Sequence, residues 1–472
     1  MTTAPGTGTQ TPATDSPAVS TPAVPAGPVP GGGAGPTPYS AAVPPPGLGR
    51  RFAHLLGATG LSNLSDGILQ VGVPLLALTL TSSPLHLSLV ATAAGLPWLL
   101  LSLHVGVLVD RVDRSRLLGV ATATRVLVLV AATVTAAAGA LTLPVLVGLV
   151  LAFGAAEVVA DSAAGAMVPS VVARDRLNAA NSRLMGVQQV ANAFLGGPVA
   201  GLLVALGAGW LFGVPAALCA VTLLLVVRGL WGRVERPSRP VAAEGGAADG
   251  GARDAGGAPS SVRTEIGEGL RFLLGHPVVR PLLLGATVLN FASAAYFAVF
   301  PLWVVGPDSA VGLRPELYGL LTAALAVGAV AGAVVSDRLG RRLREMPVVR
   351  VCWTVQAALL LVPVLVPSVP VLLGTAVLIG LTNMMGNVVT RSMRQRMIPR
   401  HLLGRVGGAG ALLGYGSIPL GALLGGVVGE AFGLPAVFLG AAVVSLLAVA
   451  RVAVAVPQRR VTEMDEAAQQ DA

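Results

Sequence analysis

Long apolar stretches alternate with short polar gaps from about residue 52 to residue 456. Each stretch is close to the roughly 20 residues that an α-helix needs to cross a bilayer. The pattern predicts transmembrane helices near residues 52–80, 85–109, 117–139, 143–167, 184–207, 211–231, 280–304, 316–336, 348–366, 370–390, 406–429 and 434–456. Every second gap is short and marked by Pro or Gly, whereas the gaps between are longer and charged. The sequence therefore predicts an all-α integral membrane protein with twelve spans.

The positive charges predict the orientation of these spans. All 31 cationic residues are Arg, and they fall mainly in alternate gaps, at 111–116, 174–183, 228–280, 338–350 and 391–405. Cytoplasmic loops keep Lys and Arg because translocating them is disfavoured. Apart from Arg125, inside a predicted span, and Arg314, in an outer gap, we expect every Arg to face the cytoplasm. Both termini are then cytoplasmic, and Arg without Lys favours a bacterial inner-membrane protein.

Composition narrows the class of protein. The chain is 54% hydrophobic and 11% charged, whereas soluble domains contain about 25% charged residues. The net charge of +9 is dispersed over loops and aromatic residues make up 4%, so nucleic-acid binding is not predicted. Cys219 and Cys352 lie in apolar spans and form no CxxC motif, which indicates small core residues. No phosphate loop, metal-ligand cluster or catalytic triad is found, so we expect no cofactor, no metal and no enzymatic activity.

Segments rich in Pro, Gly and Ala separate the predicted parts of the chain. Residues 1–48 have the composition of a disordered tail, and 232–262 that of a flexible linker between the sixth and seventh spans. Residues 263–276 place apolar side chains on one helical face, which predicts a short amphipathic helix on the inner membrane surface. The predicted order is a cytoplasmic tail 1–48, a six-helix bundle 49–231, the linker 232–262, a second six-helix bundle 263–456 with that short helix at its start, and a cytoplasmic tail 457–472.

The two predicted bundles repeat each other. Polar residues of the first half recur in the second at nearly constant spacing: Asp110–Arg111 as Asp337–Arg338, Asn63 as Asn290, and Glu157 and Asp161 as Asn383 and Asn387. Duplicated six-helix halves around a site near the bilayer midplane are a common architecture of secondary transporters. The repeat therefore predicts two bundles related by a pseudo-twofold axis.

One charged gap carries a motif that resembles a known family. Gly106-Val-Leu-Val-Asp110-Arg111-Val-Asp-Arg114-Ser-Arg116 resembles the cytoplasmic loop motif of the major facilitator superfamily (MFS), and the second half has Ser336-Asp337-Arg338-Leu-Gly340-Arg341-Arg342. Ala333 stands where the first copy has Gly106. The resemblance implies a conformational latch, in which charge-assisted hydrogen bonds hold one state and break in another. The alternative is an ordinary positively charged inner loop.

Further stretches resemble one branch of this superfamily. They are Ser62-Asn-Leu-Ser-Asp66-Gly67, Glu157-Val-Val-Ala-Asp161, Leu177-Asn-Ala-Ala-Asn181, Gly269-Leu270-Arg271-Phe272 and Leu403-Gly404-Arg405-Val406. Together they are similar to the drug:proton antiporters that include macrolide and enterobactin exporters. Gly196-Gly197-Pro198-Val-Ala-Gly201 partly resembles the Gly-Pro antiporter motif, although helix packing explains it equally well.

The resemblance implies a monomeric, proton-coupled exporter of small amphipathic molecules such as drugs, antibiotics or siderophores, working by alternating access in the lipid bilayer. Two alternatives stay open: a symporter that imports a sugar or metabolite, and a membrane sensor that transports nothing. Polar residues are sparse in the predicted spans, which favours export over sugar uptake.

Charged residues inside predicted spans are the proton-coupling candidates. They are Asp66, Glu157, Asp161 and Arg125. A carboxylate at the bilayer centre costs about 2.5–3.5 kcal/mol on insertion scales, so such residues tend to be functional. Arg125 and Asp161 lie at similar depths, which predicts a pair between them and leaves Glu157 or Asp66 to titrate. Each acid can alternatively be a satisfied structural group.

Uncharged polar and aromatic residues are the substrate-cavity candidates. They are Asn63, Asn290, Tyr296, Phe297, Asn383 and Asn387. The first half keeps acids where the second half has Asn, so we expect the first half to carry the charge and the second to supply neutral contacts.

We expect Asp110→Asn to leave the protein inserted but to slow transport strongly, because the change removes the acid of the predicted latch. The measurement is the transport rate at equal membrane abundance. A wild-type rate in this variant would show that Asp110 has no part in the conformational exchange.

Overall fold

The computed structural model describes residues 48–230, 267, 271–306, 309–339, 344–398 and 402–470. These residues are almost entirely helical, and no β-strand is found among them. The predicted linker at 232–262, nearly all of the predicted tail 1–48, and Arg341 and Arg342 of the second latch copy lie outside the described residues. So do the side chains of Asp110 and Asp337.

The first half of the chain forms helices α1 to α7. Their bounds are α1 Arg50–Ala77, α2 Pro84–Arg111, α3 Arg114–Ala137, α4 Leu143–Val171, α5 Leu177–Gln189, α6 Gly197–Leu206 and α7 Ala208–Gly229. A π-helical segment, Val190–Gly196, joins α5 to α6, so that these three pieces form one continuous crossing. A π-helical insertion of this kind bends a helix.

The second half forms helices α8 to α15. Their bounds are α8 Val279–Val305, α9 Pro315–Leu339, α10 Glu345–Leu359, α11 Val362–Leu365, α12 Val369–Met397, α13 Leu403–Phe432, α14 Leu434–Ala455 and α15 Gln458–Gln470. The short α15 lies within the predicted C-terminal tail and contacts α10 and α12, with Val461 buried.

Eleven helical segments in the described part of the chain are long and apolar enough to cross a membrane. The 28-residue α1 is also long enough to cross a membrane, and Asn63 and Asp66 reduce its apolarity. The predicted all-α membrane fold is therefore confirmed. Several helices extend beyond the predicted spans, as α12 does to Met397, because their arginine-rich ends continue past the apolar stretch.

The turn between α2 and α3 is fixed by an N-terminal cap. Asp113 accepts hydrogen bonds from the backbone N–H of Ser115 at 2.9 Å and of Arg116 at 3.0 Å. The Ser115 hydroxyl also donates to this carboxylate, and together these bonds lower the pKa of Asp113 below its usual value. The cap orients Arg114, which donates to the carbonyl oxygen of Ala166 on α4 at 3.0 Å.

The two halves meet mainly through α2 and α13. Their contacts run from the middle of both helices, where a Cβ built on Gly416 would lie 2.8 Å from Leu99, to the helix ends that carry few arginines. Those ends are called here the arginine-poor end, and the opposite end is the arginine-rich end. At the arginine-poor end Glu430 of α13 accepts hydrogen bonds from the Ser83 hydroxyl at 2.6 Å and the Leu85 N–H at 3.3 Å. Ser83 is the N-cap of α2, so Glu430 adds a negative charge at the start of that helix.

A second contact between the halves joins α6 to α9 through glycines. A Cβ built on Gly319 of α9 would collide with the backbone of Gly197 and lie 2.7 Å from the nitrogen of Pro198. A Cβ on Gly201 would collide with the carbonyl oxygen of Glu316. Small residues of this kind let membrane helices approach closely. The glycines of the Gly-Pro stretch therefore have a packing role in this structure.

The halves diverge toward the arginine-rich end. Among the described residues, neither α4 with α12 nor α5 with α9 makes extensive contact, whereas α2 with α13 and α6 with α9 do. The structure is thus closed at the arginine-poor end and open at the other.

We expect Gly319→Ala to disfavour this closed arrangement, because the added methyl group has no space against the α6 backbone. Spin labels at Leu206 and Arg314 would report the separation by double electron–electron resonance, and the variant should gain a longer-distance population. Gly374→Ala is the matched control, since a Cβ there meets no atom within 4 Å. Identical distance distributions in the two variants would contradict the assignment.

Candidate functional site

A buried ion pair lies in the middle of the first half. Arg125 on α3 is 1% exposed, and its Nη2 donates to the carboxylate of Asp66 on α1. Its Nη1 donates to the Ser62 hydroxyl at 2.6 Å. Ser62 and Asp66 are four residues apart and occupy successive turns of one helix face. The guanidinium therefore joins α3 to two turns of α1.

An aromatic ring covers the pair. The Phe153 ring on α4 lies with its centroid 4.6 Å from Cζ of Arg125, which is cation–π geometry. The Nε of Arg125 is buried and has no hydrogen-bond partner among the described residues. The Phe153 ring and the Asp66 carboxylate together replace much of the solvation that water would give to the Arg125 guanidinium.

The predicted pair between Arg125 and Asp161 is wrong: Arg125 pairs with Asp66 instead. The physical reason is the difference in burial. Each of the two acids lines a cavity, but Asp66 is only 9% exposed whereas Asp161 is half-buried. A buried carboxylate without a partner is costly, so the more deeply buried acid gains most from the guanidinium.

A cavity of about 460 Å³, called here the central cavity, is shared by the two halves. Asp66 and Glu157 line it, and Glu157 is half-buried with no hydrogen-bond or ion-pair partner among the described residues. Most of the remaining lining is apolar, and its aromatic residues are Trp98, Phe153, Phe212 and Phe297. The cavity thus combines an apolar wall with carboxylates.

A second cavity of about 240 Å³, called here the side cavity, is lined by residues of the first half alone. Ser62, Asn63 and Asp161 are among its polar lining residues. Arg125 lies between the two cavities, because Ser62 faces the side cavity and Asp66 faces the central one.

The charges of the site are unbalanced. Asp66, Glu157 and Asp161 all interact electrostatically with Arg125, the cation at their centre. If all three acids were ionised, two negative charges would have no partner in this set. Acids that interact this closely take up and release protons as a group. The arrangement is chemically able to exchange a proton.

The structure places the predicted substrate-cavity residues in different surroundings. Phe297 is 42% exposed and lines the central cavity. Tyr296 is 2% exposed and packs against Phe300 and Phe438, so it supports the wall rather than facing the cavity. Asn63 faces the side cavity and donates to the Thr59 carbonyl oxygen at 2.9 Å.

The three remaining candidates line neither of these cavities. Asn290 is exposed and its Nδ2 is 3.5 Å from the Gly414 carbonyl oxygen of α13. Asn387 donates to Asn383 Oδ1 at 2.9 Å, and both side chains are exposed. Their roles stay predictions.

The described part of the latch motif lies at the arginine-rich end. Arg111, Arg116 and Arg338 are exposed, and a Cβ built on Gly106 would meet no atom within 4 Å. Arg114 is the member that is engaged, through its bond to α4. The latch role stays a prediction.

Two residues that contact Arg125 were not among the predicted site residues. Ser62 precedes Asp66 by four residues, and Phe153 precedes Glu157 by four. Each therefore shares a helix face with a candidate acid, which is the signal that would have found it.

Comparison with known families places the chain among membrane transport proteins. Residues 46–472 match the transmembrane secretion effector family. The multidrug efflux pump Tap of Mycobacterium tuberculosis H37Rv is 29% identical over 437 residues, covering 89% of this chain and 95% of that protein. Tap of Mycolicibacterium fortuitum is 28% identical over 428 residues, covering 87% and 95%.

Solved structures share the fold. A bacterial homologue of the iron transporter ferroportin in an inward-facing state has a TM-score of 0.65 and 16% identity, covering 86% of this chain and 98% of that one. A bacterial homologue of the lysosomal transporter Spinster, inward-facing and occupied, has a TM-score of 0.65 and 14% identity, covering 86% and 96%.

We expect Arg125→Met to destabilise the protein by about 3–5 kcal/mol, because it leaves Asp66 buried without a partner. Asp66→Asn in the same chain should restore part of the loss, since it removes the orphaned charge. The measurement is the apparent Tm in detergent for both single variants and the double variant. Strictly additive losses would show that the two side chains are not coupled.

Proposed function

Because the chain belongs to the transmembrane secretion effector family of the MFS, we propose that it is a secondary active transporter that exports small amphipathic molecules in exchange for protons. The observation that carries the proposal is the Asp66–Arg125 pair on the wall of a cavity shared by both halves. The similarity to pumps named for multidrug efflux supports export as the direction.

The central cavity supports an amphipathic substrate. Apolar and aromatic walls hold the apolar part of a molecule by excluding water. The unpaired Glu157 carboxylate offers a site for a positive or hydrogen-bond-donating group. The exposed ring of Phe297 brings a contact from the second half, so a bound molecule would touch both halves.

The ion pair supports coupling to protons. With Asp66 ionised, the pair holds α1 and α3 together; a proton on Asp66 weakens the pair and frees the guanidinium. A ligand shifts a conformational equilibrium only through different interactions in the two states. Proton binding at Asp66 changes those interactions, so it can drive the exchange between open states. Ser293 and Asn383, at the equivalent positions of the second half, do not titrate at physiological pH.

The arrangement of the halves supports loading from the cytoplasm. The arginine-rich end is the cytoplasmic end by the positive-inside rule. The described structure is open there and closed at the opposite end by α2 with α13 and α6 with α9. This is the state in which an exporter takes up its substrate, and Asp66 paired with Arg125 is the form of that acid once its proton has left.

The test is uptake of ethidium and of Hoechst 33342 into proteoliposomes with an imposed pH gradient, the membrane potential being held at zero. The wild-type protein should accumulate at least one dye in the compartment from which protons leave. Asp66→Asn should reduce accumulation to the level reached without a gradient and still allow downhill dye exchange, because its side chain no longer changes charge. Glu157→Gln should mainly weaken binding of the cationic dye, since the carboxylate faces the cavity.

Each outcome decides a part of the proposal. If Asp66→Asn accumulates dye with the wild-type pH dependence, Asp66 is not the coupling acid. If the gradient drives dye in the same direction as protons, the protein is an importer. If neither dye moves in the wild-type protein, the proposal of amphipathic substrates is overturned.

A further inference from the structure

The side cavity has no part in the substrate path described above. All of its lining residues belong to α1, α3, α4, α5 and α7 of the first half, whereas the central cavity is walled by both halves. It lies toward the arginine-rich end: its α1 lining begins at Leu55 and its α4 lining ends at Val168. Movement of the halves against each other therefore need not close it.

The side cavity is suited to water. Its polar lining comprises Thr59, Ser62, Asn63, Thr122, Asp161, Gln188 and Thr222. A water needs at least about 10–15 Å³ of such space and two to four polar partners. A volume of about 240 Å³ with this lining accommodates several waters.

The side cavity reaches the ion pair at Ser62. The Ser62 hydroxyl faces the side cavity and accepts from Arg125 at 2.6 Å, and Arg125 in turn binds Asp66. Ser62 is one helical turn from Asp66 on the same face of α1. The Arg125 guanidinium and the Ser62 hydroxyl therefore separate the coupling acid from a polar space on the cytoplasmic side.

We propose that the side cavity is the route by which the proton of Asp66 reaches the cytoplasm, separate from the route of the substrate. This inference rests on the proposed function. The Asp66 carboxyl group gives its proton to a water beside Ser62, the proton passes along the side-cavity waters to the cytoplasm, and the carboxylate that remains pairs with Arg125. A substrate in the central cavity then does not block the exit of the proton that it displaces.

Several charged or titratable groups interact electrostatically with Asp66. They are Arg125 from α3, Glu157 and Asp161 from α4, and the Cys219 thiol from α7. Glu157 lines the central cavity and Asp161 the side cavity. In this proposal the negative charge of Asp161 stabilises the proton as it passes along the side cavity. Asp161 is therefore a positioning residue.

The experiment measures proton release when dye binds to purified protein in weakly buffered detergent solution with a pH indicator, in a stopped-flow instrument. The dye is the one, ethidium or Hoechst 33342, that the proteoliposome assay shows to be carried. Gly165→Leu places a bulky apolar side chain at the lining of the side cavity, where Gly165 is exposed and a Cβ meets no atom within 4 Å. We expect dye affinity and the number of protons released to stay as in wild type. The release rate should fall at least about tenfold, the effect of about 1.4 kcal/mol on a barrier.

Two control variants separate blocking from other effects. Gly165→Ser places a small polar group at the same position and should release protons at the wild-type rate. Gly148→Leu puts the same side chain on the same helix, where a Cβ also meets nothing within 4 Å, outside both cavities. It too should release protons at the wild-type rate.

Chemical modification of a cysteine at the same position replaces the leucine substitution if Gly165→Leu folds poorly. Gly165→Cys can be blocked after purification with benzyl methanethiosulfonate, since both native cysteines are buried. The blocked protein should show the same slow release as Gly165→Leu.

The outcomes distinguish this route from the proposed function. Asp66→Asn should release no proton on dye binding; full release would overturn Asp66 as the coupling acid and this inference with it. Asp66→Asn can release no proton while Gly165→Leu or the blocked Gly165→Cys releases protons at the wild-type rate. In that case the side cavity is not the exit, and the proposed function stands. A slow rate in Gly148→Leu as well would also overturn the assignment.

Discussion

A charge buried inside a membrane protein has neither water nor ions to solvate it, so the protein must supply its partners. Arg125 is 1% exposed, and three helices are arranged around it. The carboxylate of Asp66 and the hydroxyl of Ser62 come from α1, and the ring of Phe153 comes from α4. Removing any of these leaves the guanidinium less satisfied, so this one residue fixes how α1, α3 and α4 face each other.

The same residue divides the polar space of the first half. The central cavity lies on the Asp66 side and the side cavity on the Ser62 side of the guanidinium. Protonation of Asp66 removes the main electrostatic reason for Arg125 to stay in place. In the proposed function, a proton on Asp66 thereby changes the interactions beside both cavities, and a ligand shifts a conformational equilibrium only through such a change.

The contact between the halves brings helix backbones close together at the arginine-poor end. Glycines on α6 and α9 bring two backbones together, and Glu430 ties α13 to the start of α2 with two hydrogen bonds. Close packing of small residues stabilises the closed end without burying large interlocking side chains. Such a surface separates at modest cost, whereas a deeply interdigitated interface would hold the protein in one state.

The amino-acid sequence by itself determined the membrane fold, because a bilayer imposes a length and an apolarity that each span must meet. The all-α membrane fold and its apolar spans could be predicted from the pattern of Arg, Gly and apolar residues. α1 was predicted as a span although Asn63 and Asp66 interrupt its apolar stretch, because the residues on both sides of them are apolar.

The partner of each buried charge was decided by the tertiary structure. Depth along a helix can be counted in the sequence, and on that count Asp161 matched Arg125 as well as any acid. The rotation of each helix about its axis is set by packing against neighbours, which no local pattern specifies. That rotation turned Asp66 toward Arg125 and Asp161 into the side cavity, and it brought Phe153 over the guanidinium. The depth of each side chain can be counted along its helix, whereas its direction depends on how the helices pack.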